Sequence, residues 1–121
     1  MKISIIMSVL NSMPYIMASV KSFEEQKYKN KELIIVYSKS KDTTEDYIKS
    51  IKSNNIKKIS FEGNIYSSLN YGIKKASGKI IGILHSDDVF YDEDVLEKIS
   101  NTFKKKGSDI VYGNIIYSQK N

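Results

Sequence analysis

Apolar and polar positions along the chain alternate between short continuous runs and helical stripes. Over residues 2–9, Ile3, Ile5, Ile6 and Val9 supply the β-branched bulk of a strand. Asn11 and Ser12 follow as turn or cap residues, Pro14 suits a first helical turn, and Ile16, Val20 and Phe23 fall at helical spacing, which predicts a helix over about 14–26. A polar turn around Lys29, Asn30 and Lys31 leads into ELIIVY, a second buried strand over 32–37. Asp42-Thr-Thr-Glu45 has the spacing of a capping box and predicts a helix to about Ser53 with Ile48 and Ile51 facing inward. Residues 56–61 form a third, more polar strand suited to a sheet edge. Ile65, Leu69, Ile73 and Ala76 make the stripe of a helix over about 65–77, with Gly78 as its C′ residue. Residues 79–84 give a fourth strand, apolar on both faces. Asp92 then caps a helix to about Lys106 with Val95, Leu96, Ile99 and Phe103 on its apolar side, and DIVYGNIIY over 109–117 closes the chain as one or two strands.

Strand and helix thus alternate four times, the pattern of an α/β, Rossmann-like fold: a mostly parallel sheet with helices on both faces and right-handed crossovers. The 121 residues suffice for one domain that buries roughly two thirds of its unfolded surface. With 40% hydrophobic and 27% charged residues and one proline, the composition is that of a folded chain. No stretch has the length of a membrane span, KISIIMSVL is too short for a signal peptide, and cysteine is absent, which together predict a cytoplasmic protein. The net charge of +5 comes wholly from lysine. Without arginine, whose planar fork suits phosphate and base recognition, no nucleic-acid partner is expected, although a loose positive field can still attract an anionic small molecule.

Chemistry concentrates in KIIGILHSDDVF, residues 79–90, where the fourth strand ends in Asp87 and Asp88. Adjacent carboxylates at the carboxyl end of a parallel strand fit two readings. One is an acidic turn that caps the next helix. The other is a seat for Mg²⁺ or Mn²⁺, which bind through one or two carboxylates plus substrate phosphates. The polar stretches Asn11-Ser12, 38–41 and 85–88 all fall at strand ends, so the fold should bring them to one crevice.

In order, ISIIMSVLN, SFEEQKYKNKELIIV, KDTTEDYI, IYSSLNYGIKKASGKIIGILHSDD and SDIVYGN resemble the N-terminal half of family 2 glycosyltransferases of the GT-A fold, and the resemblance covers nearly the whole chain. Its most specific parts are NYGIKKASG over 70–78 and GILHSDD over 82–88. The resemblance implies a single GT-A domain over 1–121 that binds a nucleotide sugar, most often UDP-linked, through Mn²⁺ or Mg²⁺ and transfers the sugar with inversion, or hydrolyses the donor. It implies Asp88 as the main metal ligand, and Asp87 as a ribose contact or support for the metal. Asn11, Asp42, Ser67, Asn70 and Ser86 are carried over as donor-site positions, with Asn11 and Asp42 equally explained as a turn and a cap.

The chain departs from the family pattern where the nucleobase is read. Val9 and Leu10 replace a Thr and a base-stacking Tyr, and Tyr37 and Ser38 stand where an Asp is usual; Tyr37 could stack on a base and Ser38 hydrogen-bond to one. The family's acceptor-binding region and its general base normally lie beyond the metal motif. Of the residues present, His85 and, more weakly, Glu62 are the candidates for a general base. The competing expectation is a non-catalytic nucleotide-sugar-binding module or degenerate pseudoenzyme; another is a truncated chain, or one that completes its site with a second copy. The acceptor is not legible. The apolar 109–117 segment makes a homodimer plausible through an unpaired strand edge.

Overall fold

The computed structural model describes residues 1–106. Four strands, β1 (Ile3–Val9), β2 (Lys31–Tyr37), β3 (Ile56–Ser60) and β4 (Ile80–Ile83), alternate with helices α1 (Tyr15–Glu24), α2 (Thr44–Ser50), α3 (Ile65–Lys75) and α4 (Val95–Lys106). All three strand pairings are parallel, and the order across the sheet is β3-β2-β1-β4. The expected α/β, Rossmann-like architecture is therefore present. The strand or strands expected over 109–117, and the homodimer edge they suggested, lie outside the described residues.

Side chains alternate across the pleat, so each strand feeds two cores. One face of the sheet carries Ile3, Ile5, Met7, Leu33 and Ile35, covered by Ile16, Val20 and Phe23 of α1, Ile48 of α2, and Leu96, Ile99 and Phe103 of α4. The other face carries Ile6, Ile34 and Val36 under Leu69, Ile73 and Ala76, the stripe of α3 together with its C-cap residue. This division follows from the strand order. The chain steps outward from β1 to β3 over one face and must return over the other to reach β4, because the crossovers are right-handed. The return helix sits close to the sheet at Gly72, where a Cβ would lie 2.5 Å from Ile6 Cγ2 and 3.1 Å from Val36 Cγ2. Gly72→Val should lift α3 and lower the melting temperature in a thermal scan by roughly 5–15 °C, the effect of an overpacked core.

β4, expected to be apolar on both faces, is less buried than β1 and β2. β1 and β2 are buried along nearly their whole length, whereas β4 buries only alternate positions, with Ile81 and Ile83 half-buried beside α3. Among the described residues β4 has a single strand neighbour, β1. The expected capping box is also altered. Thr43 takes the N-cap position of α2, Asp42 accepts a hydrogen bond from Thr44 N at 3.0 Å, and Glu45 pairs with Lys49 instead of reaching back. Asp92 makes the same kind of turn before α4, accepting from Asp94 N at 2.8 Å.

Two buried charges hold the amino ends of the strands. Lys31 donates through Nζ to Phe23 O and Gln26 O, each at 2.8 Å, and to Glu24 O at 3.3 Å, so its cation caps the carboxyl end of α1. Glu32 lies on the α3 face and ties the turn after α3 to the sheet. Its Oε2 accepts from Ser4 Oγ at 2.5 Å, Ser77 N at 2.8 Å and Ser77 Oγ at 3.0 Å, while Oε1 faces Lys57 Nζ at 3.1 Å and Lys2 Nζ at 3.6 Å.

Candidate functional site

Strand order reverses between β1 and β4, and in an open parallel sheet that reversal leaves a crevice at the carboxyl ends of the two strands. A cleft of about 660 Å³ opens there. The end of β1 contributes Ser8, Val9, Leu10, Asn11 and Ser12, the start of α1 Tyr15, the end of β2 Ser38, the loop into α3 Gly63, Asn64 and Ile65, and the end of β4 His85, Ser86 and Asp87. The three polar loops picked out from the sequence do converge.

Hydrogen bonds between loops fix this convergence. Asn11 adopts φ 48°, the left-handed region that Asn tolerates, and this aims its amide at Ser40 Oγ (3.0 Å) while its Oδ1 accepts from Lys41 N (2.7 Å). Ser12 N and Met13 N donate to Thr44 Oγ1 at 2.8 and 3.1 Å, and Met13 N also donates to Asp42 Oδ2 at 3.3 Å. Asp42 in turn is held below its ordinary pKa chiefly by hydrogen bonds from the side chain and amide of Thr44, with a lesser one from Met13 N. Across the seam Ser12 Oγ and Ser86 Oγ lie 2.6 Å apart. Ser12 Oγ also lies 3.2 Å from Leu10 O, a second acceptor for its hydroxyl.

The turn that carries the carboxylates is closed by Asp88 N donating to His85 O at 3.0 Å. Asp87 is exposed and lines the cleft. Asp88 is half-buried, is absent from the lining, and has one carboxylate oxygen shielded from solvent. Ser38 lines the cleft, with Oγ donating to Phe61 O at 3.1 Å, whereas Tyr37 packs against the larger core. Glu62 is off the lining and accepts from Lys39 N at 2.9 Å. Ser67 sits in the first turn of α3 with its amide on Asn64 Oδ1 at 2.8 Å, and Asn70 is exposed further along the helix; neither lines the cleft.

Several lining residues had escaped the sequence reading: Ser8, Tyr15, Gly63, Asn64 and Ile65. Asn64 carried a usable signal, since an Asn directly before an apolar stripe is an N-cap, and a helix start next to a strand end belongs on this edge of the sheet. Leu10, Tyr15 and Ile65 are 57%, 64% and 44% exposed, so the cleft's mouth is partly apolar.

The donor set bears on a metal. Among the described residues no lysine lines the cleft, and no group of three or more His, Asp or Glu side chains could cage an ion. Asp87 with hydroxyl neighbours is the sparse oxygen set of a cation that completes its shell with ligand phosphates, so Mg²⁺ or Mn²⁺ fits here as a shared, not a caged, ion.

Comparison with known proteins decides the family. Residues 4–121 match glycosyl transferase family 2. The chain belongs to that family. Relatives include a Rickettsia typhi protein described as an uncharacterized glycosyltransferase, 33% identical over 90% of this chain and 34% of its own length. Another is the Escherichia coli WfaP, a UDP-Glc:alpha-D-GlcNAc-diphosphoundecaprenol beta-1,3-glucosyltransferase, 38% identical over 82% of this chain and 39% of its own length. Among solved structures, Staphylococcus aureus TarS in complex with UDP-GlcNAc superposes with a TM-score of 0.80 at 24% identity, over 89% of this chain and 32% of that one. The mannosyltransferase PcManGT from Pyrobaculum calidifontis, in complex with GDP-Man and Mn²⁺, gives 0.72 at 21% identity, over 84% and 32%. These likenesses establish the GT-A fold. The chain spans about a third of the length of the first curated relatives it matches, 34% in each case. No helix among the described residues is long and apolar enough to cross a membrane.

Proposed function

We propose that this chain carries the donor-binding part of a glycosyltransferase, taking a nucleotide sugar, UDP-linked in the first instance, together with Mn²⁺ or Mg²⁺. The observation that carries the reading is the cleft at the β1/β4 seam, which puts the exposed Asp87 on its lining, with no lysine among the described lining residues to neutralise a diphosphate. UDP is the donor nucleotide in WfaP's name and the ligand of TarS, and Mn²⁺ accompanies GDP-Man in PcManGT.

In this reading Asp87 holds the cation, with Asp88 supporting the turn behind it. Ser38, Asn64 and Asn11 offer polar groups to the nucleoside, and Val9, Leu10 and Ile65 its apolar contacts. The bound cation supplies electrostatic stabilisation to the departing diphosphate. His85, an imidazole on the lining of this cleft, takes the acceptor proton for a transfer with inversion. Glu62 serves instead to hold the Lys39 amide.

Calorimetric titration of UDP, UDP-glucose, UDP-GlcNAc and GDP-mannose, with Mn²⁺ and with EDTA, tests the reading. Binding that needs the metal and prefers uridine is expected. No binding of any nucleotide to the folded chain would overturn it. Metal-dependent binding with neither transfer nor donor hydrolysis would favour a nucleotide-sugar-binding module.

A further inference from the structure

The segment that leaves β4 is stitched to α1 and the residues just after it by side chains that donate to, or accept from, its backbone. Ser19, Ser22 and Gln26 recur at helical spacing and face residues 85–96. Gln26, 1% exposed, donates through Nε2 to Asp92 O at 2.5 Å and accepts at Oε1 from Leu96 N at 3.0 Å, satisfying an amide of the first turn of α4. Ser22 Oγ accepts from Phe90 N at 3.1 Å and donates to Ser19 O at 2.7 Å. Ser19 is fully buried, and its hydroxyl reaches both ends of the carboxylate-bearing turn, donating to Asp88 O and lying 3.2 Å from His85 O.

These three contacts do different work. Ser22 and Gln26 hold the strand-to-helix connection beyond the turn. Ser19 alone brackets the turn itself, since its hydroxyl reaches the carbonyls of the first and last residues of the reverse turn that is closed by Asp88 N on His85 O. Asp87 projects from the middle of that turn. We infer that Ser19 is a positioning residue for the cation site: through the backbone of 85–88 it fixes where Asp87 stands on the cleft, without itself touching nucleotide or metal. The inference rests on the proposed donor site for its metal readout, but its structural content does not depend on any ligand.

The test uses the full chain and three variants, Ser19→Ala, Ser22→Ala and Gln26→Ala. Mn²⁺ affinity in the presence of UDP is read by electron paramagnetic resonance of the free ion, and amide hydrogen exchange is followed in metal-free protein. Ser19→Ala should weaken Mn²⁺ about tenfold, the size expected for a partner one shell removed from a metal, and should speed exchange at Asp88 N–H while Phe90 N–H stays protected. Ser22→Ala should release Phe90 N–H and, like Gln26→Ala, lower the melting temperature yet leave Mn²⁺ affinity within twofold. Equal Mn²⁺ losses in all three variants, or unchanged Asp88 exchange in Ser19→Ala, would overturn the assignment. If the wild type binds no Mn²⁺, the donor-site reading falls, and the exchange pattern still decides whether Ser19 sets the turn.

Discussion

Asp87→Asn should abolish metal-dependent binding of UDP while the chain stays folded. Asp87 is exposed and makes no contact on which the core depends, so the substitution should change stability by less than about 0.5 kcal/mol. Its effect on the cleft is of another order. With no lysine among the described residues of the lining, the charge of a diphosphate is met chiefly by the cation, and an amide oxygen is a poorer ligand for a hard ion than a carboxylate. Affinity for UDP with Mn²⁺ should fall at least about a hundredfold, since even outer-shell partners of a metal are worth roughly ten- to hundredfold. Calorimetry with and without EDTA measures the loss. Asp88→Asn, at a half-buried position off the lining, should lose less affinity and more stability. If Asp88→Asn silenced binding and Asp87→Asn kept it, the two aspartates would exchange roles.

Glu32→Ala should be the most damaging substitution away from the cleft. The side chain is 3% exposed and its carboxylate holds three elements: β1 through Ser4, the turn after α3 through Ser77, and β3 through Lys57. Lys2 and Lys57 are 38% and 49% exposed and stay solvated, but the donors of Ser4 and Ser77 lose their acceptor, at a cost of about 2–4 kcal/mol. That corresponds to a melting temperature lower by roughly 10–20 °C. The same network predicts a pH dependence. Burial raises the Glu32 pKa, but the hydrogen bonds from Ser4, Ser77 and Lys57 outweigh it and bring it down to about 2, against an ordinary 4.5. A carboxylate whose pKa is depressed on folding stabilises the folded state fully above its unfolded pKa. Its contribution is lost as pH falls through the folded value. Wild-type stability should therefore decline between about pH 4.5 and 2 partly on account of Glu32, and Glu32→Gln should flatten that part of the denaturant-derived curve.

Periodicity and cap chemistry made the order of elements legible because β-branched runs and three-to-four spacings act locally. Ile16, Val20 and Phe23 could face only a core once they shared a helical stripe, and they do. The convergence of loops at the β1/β4 seam was legible for the same reason, since a parallel α/β sheet fixes which ends meet. Which of Asp87 and Asp88 lines the cleft was not: it depends on the turn that Asp88 N closes on His85 O, whose carbonyls are met by Ser19, which sequence alone marks as an ordinary helix residue. Lys31 and Glu32 show the same limit. A polar turn running into a strand gives no sign that both charges are buried, because their partners are carbonyls of α1 and hydroxyls nearly thirty and forty-five residues away, Ser4 and Ser77.

The reversal of strand order also dictates when the cleft can exist. Ser12 and Ser86, which meet across it, are separated by 74 positions in the chain, and β4 reaches β1 only after three other elements pairs have been laid down. Contacts this distant along the chain close late, because the entropy of the intervening loop must be overcome first. During synthesis or refolding the β1–β2–β3 half can pair while no ligand-binding crevice is present, so capture of a nucleotide would report the final docking of β4 and not the earlier growth of the sheet.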